Sequence, residues 1–203
     1  MANFLEKIKI LGRVIPDISK AAPQNVEWTG YKSQEMNDKM YDRMAGDKRK
    51  VLIETLAPAT FLYRLPDKLV VLDESNRRLL YLVQFGFSLV FSKKGVTQTK
   101  VWRDKSSPLT KGLAERIFFH YLFPMADCIV TDKQQTSYGR AFWELRIYEA
   151  FAKSLPVYLL DHNPGTKQLL ASSLEFDQLL DTWWGDEPKF QRRTIAICHK
   201  KFW

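Results

Sequence analysis

The sequence predicts an α/β (α+β) domain built on a mixed sheet, an antiparallel meander followed by a parallel β-α-β-α-β half. Three observations carry this. Residues from Val96 to Asp161 alternate strand-like and helix-like apolar patterns in the order strand, helix, strand, helix, strand. Residues from Phe61 to Phe91 hold four strand-like runs whose connections are too short for parallel crossovers, so those strands pair antiparallel. The chain has 203 residues, 45% of them hydrophobic and 13% aromatic, enough for one domain with a real core.

The elements follow in chain order. Phe4 to Leu11 reads as a short helix before a connection marked by Pro16, Pro23 and Gly30. Ser33, Gln34 and Glu35 start a helix in which Met36, Met40 and Met44 recur on one face. Gly46 ends or kinks it, and Lys48 to Leu56 is expected to continue as helix, so residues 1–60 form a helical segment packed on the core of the 61–203 domain. Phe61–Leu65, Leu69–Leu72, Leu79–Val83 and Phe87–Phe91 are the meander strands, separated at Pro66-Asp67, Glu74-Ser75-Asn76 and Gly86. Lys93-Lys94-Gly95 turns the chain into the strand Val96–Trp102. Leu113–Phe123 is then a helix, Cys128–Thr131 a buried strand, Gly139–Leu155 a helix and Pro156–Leu160 a strand. A helical segment from Lys167 to Trp184 and a last strand, Thr194–Cys198, complete the chain.

Parallel strands place ligands beyond their carboxyl ends. Those ends carry Arg103 and Asp104, Thr131 and Asp132, and Asp161 and His162. Between the first strand and its helix, Lys105 to Ala114 forms a basic loop with Gly112 opening the helix. Backbone amides at such a glycine point at an anion and outline a pyrophosphate cradle. Neither GxxxxGK[ST] nor GxGxxG is present. Asp132 and His162, at neighbouring strand ends, are candidate direct or water-mediated bases. The polar stretch Thr131–Arg140 either caps the next helix through Thr136 or Ser137, or lines an acceptor with Gln135, Tyr138 and Arg140.

A meander, a long strand, a basic glycine loop, a helix, a parallel strand and a second helix together resemble the GNAT superfamily of acyl-CoA-dependent N-acetyltransferases, over roughly residues 61–161. Their cofactor loop [QR]xxGx[GA] is matched at Gly112 and Ala114 of Leu109-Thr110-Lys111-Gly112-Leu113-Ala114, with Leu109 in place of Gln or Arg and Lys105 or Lys111 as the nearby point charge. The resemblance implies that Val101, Trp102 and Arg103 meet pantetheine and that Lys111, Gly112, Leu113 and Ala114 hold the pyrophosphate. It also implies that Tyr148, in Arg146-Ile147-Tyr148-Glu149, protonates the departing thiolate; Trp143-Glu144 is a competing alignment. About thirty residues separate Asp161 from Thr194, where ordinary members have a hairpin.

The function so implied is transfer of an acetyl or other acyl group from acyl-CoA to an amine on a protein, nucleic acid or small molecule. The alternative is a non-catalytic binding protein, on the same scaffold or an unrelated phage-like one, with its basic face on nucleic acid or a host protein. A balance of 31 basic against 23 acidic residues gives +8, which favours an anionic partner of either kind. No apolar run reaches the length of a membrane span, and the N-terminal stretch lacks a secretory core, so a cytoplasmic protein is expected. Cys128 and Cys198 lie in apolar strand patterns and suggest buried thiols rather than a metal site.

Overall fold

A computed structural model describes residues 34–104, 106–131, 137–163, 165–183 and 192–201. They form a nine-stranded mixed sheet with four helices: α1 (Gln34–Ala45), β1 (Val51–Ala57), β2 (Thr60–Leu65), β3 (Lys68–Asp73), β4 (Arg78–Val90), β5 (Lys93–Arg103), α2 (Leu113–Arg116), β6 (Cys128–Val130), α3 (Ser137–Ala152), β7 (Val157–Asp161), β8 (Thr166–Leu169), α4 (Ser173–Trp183) and β9 (Arg193–Cys198). Helix α2 runs on as a π-helical turn, Ile117–Leu122, with the Phe123 N–H donating to the Phe118 carbonyl. Among the described residues, no helix is long and apolar enough to cross a membrane.

The sheet order is β1-β2-β3-β4-β5-β6-β9-β7-β8. β2 to β5 form an antiparallel meander, with the strands expected at Leu79–Val83 and Phe87–Phe91 joined into the single β4 and Lys93–Gly95 already in β5, and β5 pairs parallel with β6. The expected third parallel neighbour is displaced. β9 inserts between β6 and β7, antiparallel to both, so β5–β6 is the one parallel ladder in the sheet and β7 keeps its direction without touching β6.

Three local expectations are corrected. Lys48–Leu56 is not helical: α1 stops at Ala45, and Val51, Ile53 and Thr55 alternate along the edge strand β1, so the sheet begins at Val51 rather than Phe61. Gly86 makes no turn. A register shift between Gln84 and Phe85 absorbs the irregularity within β4, and reversal comes at Phe91 and Ser92, whose φ values of 47° and 67° are the paired positive angles of a tight hairpin turn. Lys167 starts no helix; Thr166–Leu169 pairs back on β7, and α4 follows. The short helix expected at Phe4–Leu11 lies outside the described residues.

Alternation along the strands divides the core. Leu62, Leu69, Val71, Tyr81, Val83, Ile129, Leu159 and Ile197 face α2, α3 and α4, with Phe118, Trp143, Ile147 and Phe176 packed on them. Tyr63, Leu65, Val70, Leu72, Leu82 and Trp102 face the other way and receive Tyr41 and Met44 of α1. A buried Asn37 pins that helix by exchanging two 3.0 Å hydrogen bonds with the Leu79 peptide, donating to its carbonyl and accepting from its N–H.

The end of the β4–β5 hairpin covers the remaining apolar surface. Val90 and Phe91 lie on Cys128, Val130, Tyr158, Leu160, Ala196 and Cys198, on the face opposite α2–α4. The Phe91 ring reaches His162 beyond β7 (centroids 6.4 Å apart) and lies 6.0 Å from the Lys167 ammonium. Gly95 permits this crossing: a Cβ there would stand 2.7 Å from Val90 Cγ2 and 3.3 Å from Val130 Cγ2. Gly95→Ala is expected to destabilise the fold by roughly 1–3 kcal/mol through overpacking, read as a lower urea midpoint with an unchanged m-value.

Candidate functional site

β5, β6 and β7 run in the same direction, which brings Arg103, Thr131 and Asp161 to one edge of the sheet. There the parallel ladder ends early. β5 and β6 pair at Gly95–Cys128, Val96–Ile129 and Thr97–Val130 and no further. Beyond that point β5 follows β4 as far as Arg103, whereas Thr131 follows β9, donating its N–H to the Ile195 carbonyl and accepting from the Ile195 N–H on Oγ1 (both 2.9 Å). Pairing of β5 with β6 therefore stops at Thr97–Val130.

The loop from β5 to α2 is built around Asp104, which is 9% exposed. Its Oδ1 accepts from the Ser106 N–H (2.9 Å) and hydroxyl (2.6 Å), and its Oδ2 holds Arg78. Thr110 closes the loop, its hydroxyl bonded to the carbonyls of Asp104 and Ser107 at 2.9 Å each. Gly112 then takes φ 77°, a left-handed conformation that any side chain would strain, and caps α2 without a side-chain hydrogen bond. Since the first helical bond runs from the Arg116 N–H to the Gly112 carbonyl (3.1 Å), the amides of Leu113, Ala114 and Glu115 are those that helix geometry leaves without an intrahelical acceptor.

Beside this turn lies an open cavity of about 510 Å³ lined by Gly112, Glu115, Arg116, His120 and Tyr121. Glu54 of β1 fixes its wall by holding both the Arg116 guanidinium and the Tyr121 hydroxyl. Nothing local in the sequence announces Glu54, which sits 62 and 67 positions from those partners.

The other expected site residues are dispersed. Val101 is half-buried against the helix-side core, Trp102 is buried on the α1 side, Arg103 is half-buried and Lys111 is exposed. Leu113 is buried in the core and Ala114 is half-buried. Arg140 bonds Glu144 through Nε at 2.9 Å, one turn along α3, and Tyr138 lies in the first turn of that helix. Asp132 and Gln135 lie outside the described residues. His162 is set on the Phe91 face, away from α2, and shares a 2.9 Å hydrogen bond with Thr194 Oγ1. Tyr148 is buried and its hydroxyl donates to Asp177 of α4, while the ring meets Phe176 edge-on at 5.7 Å. Phe142, Arg146, Glu149 and Lys153 form the flank of α3 turned toward α2, and Tyr148 falls on the opposite flank.

A buried polar pair that no local pattern announces lies between those helices. Arg146 of α3 is 5% exposed and binds Glu149 Oε1 through Nη2 at 3.0 Å, its guanidinium lying over the Phe142 and Phe119 rings. Among the described residues, Arg146 Nε and Nη1, Glu149 Oε2 and the Tyr81 hydroxyl are buried with no hydrogen-bond partner. Burial pushes the Glu149 carboxyl up to about 7, Arg146 opposing and Glu115 adding to the shift. Burial likewise lowers Arg146 and raises Tyr81, whose shift Arg103 and Arg146 partly offset. Among the described residues no group of His, Cys, Asp or Glu has the geometry to hold a metal ion.

Comparison with protein-family models, with curated proteins and with solved structures finds no match for this chain.

Two outcomes follow from this geometry. Tyr148→Phe keeps the ring and removes the donor to Asp177, so stability is expected to fall by roughly 1–3 kcal/mol, as for a hydrogen bond to a charged group, in a denaturant titration. For Glu149, the folded state keeps a proton that the unfolded chain loses. Stability therefore declines as pH rises from the ordinary 4.5 to about 7, by roughly 3 kcal/mol in all. Glu149→Gln should remove that part of the slope when unfolding free energies near pH 5 and near pH 8 are compared between the two proteins.

Proposed function

We propose that the protein binds an acyl-CoA and transfers its acetyl or other acyl group to an amine. The observation that carries this reading is the helix start at Gly112, which lines an open cavity with Glu115, Arg116, His120 and Tyr121. Ligands of open sheets lie beyond strand carboxyl ends, and a helix start with spare amides favours phosphate. The order of elements behind the GNAT resemblance is also present, from meander to long strand, glycine-opened helix, parallel strand and second helix.

In this reading the pyrophosphate lies at Lys111–Ala114 and takes the spare amides of Leu113 and Ala114, with Lys111 supplying positive charge, and Val101, Trp102 and Arg103 run beside the pantetheine. Positioning does most of the work. The attacking amine must lose a proton, and a carboxyl that titrates near neutrality suits that task; Glu149 joins Asp132 as a candidate base. Tyr138 and Arg140, in the first turn of α3, stand on the acceptor side in this reading, and Gln135 is assigned there from the sequence. Tyr148 serves as acid only if its proton is released from Asp177.

The basic-surface alternative is less favoured. Arg49, Arg77, Arg78, Arg116, Arg140, Arg192 and Arg193 each hold a carboxylate of this chain, so these cations are paired from within.

Acetyl-CoA at about a hundred times its dissociation constant should add ~2.7 kcal/mol of stability, a rise of roughly 5–10 °C in Tm. Gly112→Glu points a carboxylate at the proposed phosphate position, where a Cβ meets no atom within 4 Å. That variant should keep the circular-dichroism spectrum of the parent and lose the acetyl-CoA shift. Calorimetry that detects no acetyl-CoA binding to the unaltered protein overturns the reading.

A further inference from the structure

Cys128 and Cys198, the two cysteines of the chain, are brought opposite one another as the first residue of β6 and the last of β9. The ladder between these strands fixes how they meet. Thr131 donates to the Ile195 carbonyl (2.9 Å) and His199 to the Asp127 carbonyl (3.1 Å), which marks the hydrogen-bonded positions. Cys128–Cys198 lies one residue inside the second of these, and the Cys198 N–H points away, to the Pro156 carbonyl of the neighbouring segment (2.9 Å). The cysteines are therefore a non-hydrogen-bonded pair, the position at which opposed Cα atoms approach to about 4.5 Å and side chains are closest. Disulfides span Cα separations of ~4.4–6.8 Å.

Both side chains leave the sheet on the same face, under Val90, and both are free thiols at 0% exposure. They also sense each other. The Cys198 S–H holds the Cys128 thiol below its ordinary range, and the same contact, with burial, pushes Cys198 up. The first thiolate formed is thus Cys128, with a second sulfur already in place to resolve whatever it attacks.

We propose that Cys128 and Cys198 form a dithiol site that small-molecule disulfides of the glutathione type convert to a cross-strand disulfide, locking β9 to β6. The Cys128 thiolate attacks one sulfur of the reagent and expels a thiolate. Cys198 then gives up its proton and attacks Cys128 Sγ, expelling the second. Two protein thiols are oxidised and one reagent disulfide is reduced to two thiols, so atoms and electrons balance. The pair is buried at the strand ends, one residue inside the His199–Asp127 hydrogen bond and beside exposed Asp127, His199 and Lys200, and the reagent reaches it once local opening breaks the His199 contacts to Asp127 and Phe123, without global unfolding. The crosslink closes a loop containing α3, β7, β8 and α4, which restricts the unfolded chain. This inference is independent of the acyl-transfer reading.

The test is incubation of the native, reduced protein with oxidised glutathione, followed by intact mass, non-reducing peptide mapping and thermal melting. The expected product is a single chain lighter by two hydrogens, with Cys128 linked to Cys198 and a Tm raised by several degrees, reversed by dithiothreitol. Cys198→Ser should instead stop at a glutathione adduct on Cys128 and show no such rise. If that variant fails to fold, the mapping of the unaltered protein decides alone. Persistent adducts on both cysteines, links between chains, or two thiols that stay reduced each overturn the proposal.

Discussion

Everything in this molecule hangs on a parallel ladder of three residue pairs. Gly95–Cys128, Val96–Ile129 and Thr97–Val130 are where the meander meets the second half of the sheet. Asp127 reinforces the joint, its N–H donating to the Lys94 carbonyl and its carboxylate accepting from the Lys94 N–H, both at 2.8 Å. The ladder is short because β6 is a strand of three residues. A shorter one would cut the sheet in two. The joint thus sets the continuity of the core, and Gly95 stands at the point where the hairpin must cross over it.

The features legible in the sequence were those written in local periodicity. Alternation marks β2, β3 and β9 to within a residue, and a glycine between a basic loop and an apolar helix marks Gly112, whose positive φ gives it a reason to be glycine. The errors have physical causes. Lys48, Arg49, Lys50 and Glu54 give β1 the charge of an exposed helix, because an edge strand with one solvent-facing side carries polar residues as a surface helix does. Gly86 resembles a turn but lies in continuous strand, while the real turn uses Phe91 and Ser92, residues that seldom take positive φ. The insertion of β9 is a long-range choice that no local pattern encodes. The same holds at the site, where Glu54 meets Arg116 and Tyr121, and Asp177 meets Tyr148, only through the tertiary fold.

The Arg146–Glu149 pair shows a different use of burial. A paired charge in the interior gains little net stability, because desolvation offsets most of the attraction. Here the cost is compounded by donor and acceptor atoms left without partners among the described residues, against two aromatic rings. A helix interface optimised for stability alone would be apolar, so this polar pair is a cost that packing between α2 and α3 does not explain.

The position of β9 also dictates an order of events. β6 and β7 are made early in the second half of the chain, but the strand that joins them is residues 193–198. Until that segment leaves the ribosome, each presents an apolar edge with unmade backbone hydrogen bonds, and α3 has an incomplete sheet to rest on. Sequence-distant pairing of this kind is slow and leaves strand edges open to other chains. The meander, whose strands pair with their immediate neighbours, faces no such delay. Synthesis of this protein therefore passes through an interval in which one half of its sheet is finished and the other is a pair of unmatched edges, the stage at which a nascent chain has most need of a chaperone.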